Sequence, residues 1–267
     1  SIDITLSEGV YSTNLGTGAL DISDFILDFT KNGGSASNVV ISGLTNTSGN
    51  PLIGGESTIR LLLTITGIVS GTETIKINPV LNSIFDQAGN ISLISDTTGP
   101  ILLFDILGPS LSNVSSITTN GAYKIGSVIS INITFSEIVL VTGTPLLMLE
   151  TGVIDRLATY SSGSGSNNLT FLYTVQAGDT SADLEYAATT SLSLNGGTIK
   201  DSFTNNATLL LPVIAGVGSL GFNKSIIIDT TLPKIVSGSL GPNNAYIDIA
   251  FSEPIFSNAG SGALVVG

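Results

Sequence analysis

Histidine, cysteine and tryptophan are absent from this chain of 267 residues, and methionine occurs once. Without His or Cys it can form no Ser-His-Asp triad, no Cys nucleophile, and no imidazole or thiolate site for zinc or haem. A disulfide framework is excluded as well, so stability must come from packed sheets, helped by any bound ions. Positive charge is scarce: Lys and Arg number 8 against 20 Asp and Glu, a formal net charge of −12. Nothing here could neutralise a run of phosphates, which excludes a nucleic-acid binder working through a basic face. Long apolar runs are missing too. The most apolar stretch, Thr208 to Phe222, is broken by Pro212 and three glycines and falls short of a membrane span. The chain opens on Ser1 with no charged segment ahead of an apolar one, so the expectation is a mature or excised part of something longer.

What is present is strand and turn chemistry: Thr, Ser, Val, Ile, Gly and Asn dominate, and 42% of residues are hydrophobic against 10% charged. Internal repetition is the strongest signal. Ile2 to Val10 reads IDITLSEGV, Ile131 to Val139 reads INITFSEIV, and Ile247 to Ile255 reads IDIAFSEPI. Each looks like an alternating strand that ends in Ser-Glu and then turns. A second phrase, Asp-Thr-Thr-x-Pro, occurs at 96–100 and 229–233. Proline cannot continue a central ladder, so both mark a strand end followed by a linker. A third, Asp86-Gln87-Ala88-Gly89-Asn90, is a turn between strands, echoed weakly at 201–206.

Boundaries are therefore expected near 99 and 232: residues 1–99 as a repeat lacking its first strand, 100–231 as a complete repeat of a second type, and 232–267 as the opening strands of a third. Tyr11 to Leu20 resembles Phe256 to Leu264, so the first and third segments are the closer pair, and two domain types alternate with the spacing from Glu8 to Glu253. The chain reads as cut out of register with its own domains, each end having what the other lacks. Periodicity is two throughout, as in Thr58 to Thr66, Glu73 to Leu81, Val128 to Phe135, Asn168 to Val175 and Lys224 to Asp229. No stretch holds a helical period; Ser23 to Thr30 comes nearest. The expected class is all-β, with tandem immunoglobulin-like (Greek-key) β-sandwiches stacked end to end.

Phe135-Ser136-Glu137, the run from Tyr173 to Leu184, Ser193 to Ile199 and Asp229 to Pro233 together resemble the immunoglobulin-like, cadherin-like repeats of large bacterial surface adhesins. Residues 100–231 match best, and the likeness covers nearly the whole chain. It implies extracellular sandwiches at the cell surface, often with calcium stiffening the junctions. Ser202-Phe203-Thr204-Asn205 departs from the acidic-Ala-Gly turn of such repeats.

An immunoglobulin-like strand order gathers acids at the two poles. One expected group joins Asp96 to Glu137 and Asp201. Another joins Asp229, Asp179 and Asp183 to Glu253, while Glu8 and Asp86 hold the matching positions in the first segment. Carboxylates without a neighbouring Lys or Arg suit the oxygen demand of Ca²⁺, and a cation relieves their repulsion. The competing account is that Asp and Asn bond their own turns. Phe104, Phe135, Tyr160, Phe171 and Tyr173 are expected in cores, because no acid is flanked by the aromatic platform a sugar site wants. No catalytic constellation is visible. The expected role is a stalk or filament shaft of an extracellular bacterial adhesin or surface fibre, with neighbouring copies or repeats as head-to-tail partners. The rivals are a carbohydrate- or receptor-binding module and the spacer domains of a secreted polysaccharide-active enzyme.

Overall fold

The computed structural model describes residues 1–256, with 47% strand and 4% helix, so the chain is all-β. The continuation of the repeat after Phe256 lies outside the described residues. The chain divides into two compact units, 1–108 with 203–205, and 109–202 with the residues from 206 onward. The first unit runs past the Pro100 mark because residues 101–106 complete its sheet. Ile101 pairs with Ile75, and the amides of Leu103 and Ile106 donate to the carbonyls of Glu73 and Val69.

The first unit holds β1 (Ile2–Val10), β2 (Phe25–Thr30), β3 (Asn38–Thr45), β4 (Glu56–Thr66), β5 (Thr74–Pro79) and β6 (Ile101–Leu102). They form two antiparallel sheets, β1-β4-β3 and β2-β5-β6. Alternation decides which side chains turn inward, as in β5, where Ile75, Ile77 and Pro79 are buried and the residues between them are not. Both sheets feed one core, with Ile59 and Leu61 from β4, Phe25 from β2 and Ile77 from β5. Ile2, Ile4 and Leu6 of β1 pack against it only partly buried.

The second unit holds β7 (Leu111–Ser116), β8 (Gly121–Tyr123), β9 (Val128–Thr142), β10 (Leu146–Glu150), β11 (Arg156–Ser162), β12 (Ser166–Thr174), β13 (Thr180–Ser181), β14 (Glu185–Tyr186), β15 (Leu192–Ser193), β16 (Thr198–Lys200), β17 (Ile226–Asp229), β18 (Ile235–Leu240) and β19 (Ile247–Phe251). One sheet runs β14-β10-β11-β12-β9-β16, with β15 on β10 and β7 on β9, and a smaller one runs β13-β17-β8. The pairings are antiparallel except β17 with β8. The core centres on β9, whose Ile129, Ile131, Ile133 and Phe135 are all at most 1% exposed. Burial on that scale is worth about 1.5–3 kcal/mol per side chain. The helix α1 (Leu220–Asn223) is a single turn capped by Ser219, whose hydroxyl accepts from the Phe222 amide.

Two expectations need correcting. The Ser-Glu phrase does not end its strand in the two units: β1 continues to Val10 and β9 to Thr142. A bulge takes up the irregularity, as a register shift between Thr5 and Val10 against β4 and between Ser166 and Asn168 against β9. Phe104 is not core. It is 84% exposed, because β-parity past β6 turns its neighbours Leu103 and Asp105 inward instead. Phe135, Phe171 and Tyr173 are buried as expected, and Tyr160 meets Phe171 edge to face at 5.9 Å between ring centroids.

The two units share one pairing scheme. Ile2, Asp3, Ile4 and Thr5 face Leu61, Arg60, Ile59 and Thr58, as Ile131, Asn132, Ile133 and Thr134 face Phe171, Thr170, Leu169 and Asn168. The Tyr11–Phe85 bridge stands where Leu140 faces Lys200. β18 and β19 repeat the opening of the second unit: Ile235 faces Phe251 and Leu240 faces Ile247, as Leu111 faces Phe135 and Ser116 faces Ile131. Even the register irregularity recurs, between Leu111 and Asn113 and between Ile235 and Ser237.

Candidate functional site

The most prominent concavity of the first unit is an open groove of about 450 Å³ along β1. One wall is Ile4 to Glu8. The floor holds Val10, Phe25, Ile77 and Ile84, and the far wall is Phe85 to Ile91 with Asp96 to Thr98. Its lining includes Glu8, Asp86 and Asp96 and no Lys or Arg. The groove exists because β1 is an edge strand with β4 on one side only, while Thr98 shields the β5 backbone opposite. The Ile77 amide donates to Thr98 Oγ1 at 3.0 Å, and the Thr98 amide donates to the Ile77 carbonyl at 3.1 Å.

The rim acids differ in what they do. Asp86 organises its own turn, accepting from the amides of Ala88 and Asn90 at 2.8 Å each and from Asn90 Nδ2 at 2.6 Å. Those bonds, the Asn90 side chain first, hold its carboxyl below the usual range. Asp96 does not end a strand; it closes a turn, accepting from the Leu93 amide at 2.9 Å. Glu8 is exposed. In the second unit the equivalents of Glu8 and Asp86 are Glu137 and Asp201, and these carboxylates come within 4.8 Å of each other. Two like charges at that separation repel unless a cation or proton lies between them.

The other expected ligands are spread out. Asp179 is 1% exposed and fully engaged: Arg156 Nε donates to it at 2.7 Å, Tyr173 Oη at 2.6 Å and the Gln176 amide at 2.8 Å. The premise that no Arg neighbours these acids therefore fails here. Burial works to raise its pKa, but the bonds from Tyr173 and Arg156 outweigh it and the net shift is downward. Burial, then the bond to Asp179, pushes the Tyr173 hydroxyl above the ordinary phenol range. Asp183 accepts from the Ile226 amide at 3.3 Å, and Asp229 closes its own turn by accepting from the Thr231 amide at 2.9 Å. Glu253, just past β19, has Oε1 enclosed without a hydrogen-bond partner among the described residues. Among those residues, no group of three acids forms from Asp179, Asp183, Asp229 and Glu253.

Sequence reasoning missed Glu73 and Glu185. Glu73 is fully buried and accepts from the amides of Ala36 at 2.8 Å, Ser70 at 3.0 Å and Thr72 at 3.2 Å. Gly34 leaves it room, since a Cβ there would lie 2.2 Å from the carboxyl carbon. The signal was available, because Glu73 has the same parity as the inward Ile75 and Ile77. Glu185 anchors the α1 turn, accepting from the amides of Leu220 at 3.1 Å and Gly221 at 3.0 Å. No helix is long and apolar enough to cross a membrane among the described residues. No family model matches the chain, and neither the curated proteins nor the solved structures give a match.

Proposed function

We propose that this chain is a shaft segment of a long extracellular bacterial fibre or adhesin, made of immunoglobulin-like sandwiches in tandem and without catalytic activity. One observation carries the reading: a single pairing scheme, with residue-for-residue register, recurs in β1·β4 and β9·β12, and again in β7·β9 and β18·β19. A repeated module in which each copy leans on its neighbours extends length with repeat number. The buried carboxylates support the same reading, because Glu73, Asp179 and Glu185 are occupied by backbone amides, Tyr and Arg, leaving them no acid–base task. Calcium belongs to the proposal at the Glu137–Asp201 pole, where two hard oxygen donors sit within 4.8 Å. Antibodies raised against the chain should label extended structures on intact cells of its source. Labelling only after permeabilisation would overturn the reading.

A further inference from the structure

The first unit leaves part of one sheet edge uncovered, and the chain contains a strand that matches it. In the second unit, one edge of β9 is shared by β7 at Ile131–Phe135 and by β16 at Leu140–Thr142. On β1 the later half of the equivalent edge is met by Phe85 bridging Tyr11, but among the described residues no strand takes the place of β7. The consequence shows in burial. Ile131, Ile133 and Phe135 are 0–1% exposed, whereas their equivalents Ile2, Ile4 and Leu6 are only partly buried beside the groove.

We propose that β18 of a second copy of this chain docks on that edge, pairing antiparallel with β1 in place of its own β19. The inference rests on the shaft reading above and gives it a joint: copies linked head to tail by strand exchange. The register follows from the repeats. Ile235 would face Leu6, Ser237 Thr5, Gly238 Ile4, Ser239 Asp3 and Leu240 Ile2, as the same residues now face Phe251, Ala250, Ile249, Asp248 and Ile247.

Three observations select this occupant. First, the serine of the Ser-Glu phrase clamps the incoming strand. The Ser136 amide donates to the Ser110 carbonyl and Ser136 Oγ accepts from the Ser110 amide at 3.0 Å; the Ser252 amide and Oγ do the same for Lys234, the Oγ at 2.9 Å. Ser7 is the equivalent on β1, lines the groove, and its hydroxyl has no such partner among the described residues. Second, charge is complementary. The clamp places Lys234 opposite Ser7, next to Glu8, on a groove whose charged lining is the acids Glu8, Asp86 and Asp96. Third, the exchange conserves ladder bonds and gains burial. β18 now lies in a two-stranded ribbon with Ile235 66% and Leu240 67% exposed, a pairing that is marginal alone. At β1 the same two side chains would turn toward a built core, as Leu111 does in β7.

The chain has no cysteine, so cross-linking reads the register directly. Full-length Ser7→Cys and Lys234→Cys chains are mixed and oxidised; both positions are exposed, and unchanged thermal melts establish that the variants fold. The expected product is a disulfide-linked pair containing one of each chain. Ser7→Cys mixed with Ser239→Cys should give none, because position 239 falls opposite Asp3 and a disulfide needs Cβ atoms about 4 Å apart. The double variant should give a ladder of linked copies. No mixed product, equal yield at position 239, or a closed monomer from the double variant would each overturn the proposal. Surface labelling without cross-linking would leave the shaft standing and remove only this joint; cross-linking without surface labelling would do the reverse.

Discussion

Two buried acids show how little the type of a residue says about its job. Glu73, held by three backbone amides, has its pKa lowered to about 2, burial opposing and the amide bonds prevailing. A lowered folded pKa stabilises fully above the unfolded value, about 4.3, and that stabilisation fades as pH falls toward 2. Melting curves of the first unit should therefore drop through this window. Glu73→Gln should cost about 1–3 kcal/mol at neutral pH and flatten part of the acid limb. Asp179 makes the sharper contrast. Arg156→Met would leave its 1%-exposed carboxylate without a cation, and urea titration should show a loss of about 3–5 kcal/mol. Arg60→Met, at an ion pair with Asp3 whose side chains are 33% and 40% exposed, should leave the midpoint where it was. The parity of Tyr173 was legible in the sequence and so was its need for a partner. That its partner is Asp179, itself held by Arg156 across the β11–β12 hairpin, was not. Counting acids cannot tell which of them already has a base.

At the scale of elements, alternation located β4, β5, β9, β12 and β17 to within a few residues, because a half-buried strand writes its inward face into every second position. The bulge after Thr5 was illegible, since it depends on what β4 does opposite rather than on local composition. The same equivalence that identifies β1 with β9 lets one substitution be compared at two sites. Ile133→Ala should cost about 2–5 kcal/mol, as expected of a fully enclosed isoleucine. Ile4→Ala, at the partly covered position, should cost visibly less in monomeric protein. Under conditions where copies associate, the gap between the two should narrow. Equal losses in dilute solution would mean the β1 edge is covered after all.

For the whole molecule, the balance of 20 acids to 8 bases sets how copies meet. Chains of net charge −12 repel each other over about 30 Å at 10 mM salt and about 8 Å at 150 mM. Sedimentation should therefore show association strengthening as monovalent salt rises through that range, even though the Lys234–Glu8 attraction is itself weakened. Calcium should add an effect that salt does not, raising the melting temperature of the second unit, and Glu137→Gln should remove that increment.

The parallel pairing of β8 with β17 has a mechanical meaning. These strands stand near the beginning and the end of the second unit, and they run the same way, with Gly121, Ala122 and Tyr123 beside Ile226, Ile227 and Ile228. Tension on a tethered cell pulls the chain before β8 one way and the chain after β17 the other. Antiparallel neighbours loaded at the same end would peel apart one bond at a time. Parallel neighbours loaded at opposite ends must slide, and the rungs between them resist together. Once β7 has given way, the β8–β17 pair becomes the clasp that decides at what force the unit lengthens.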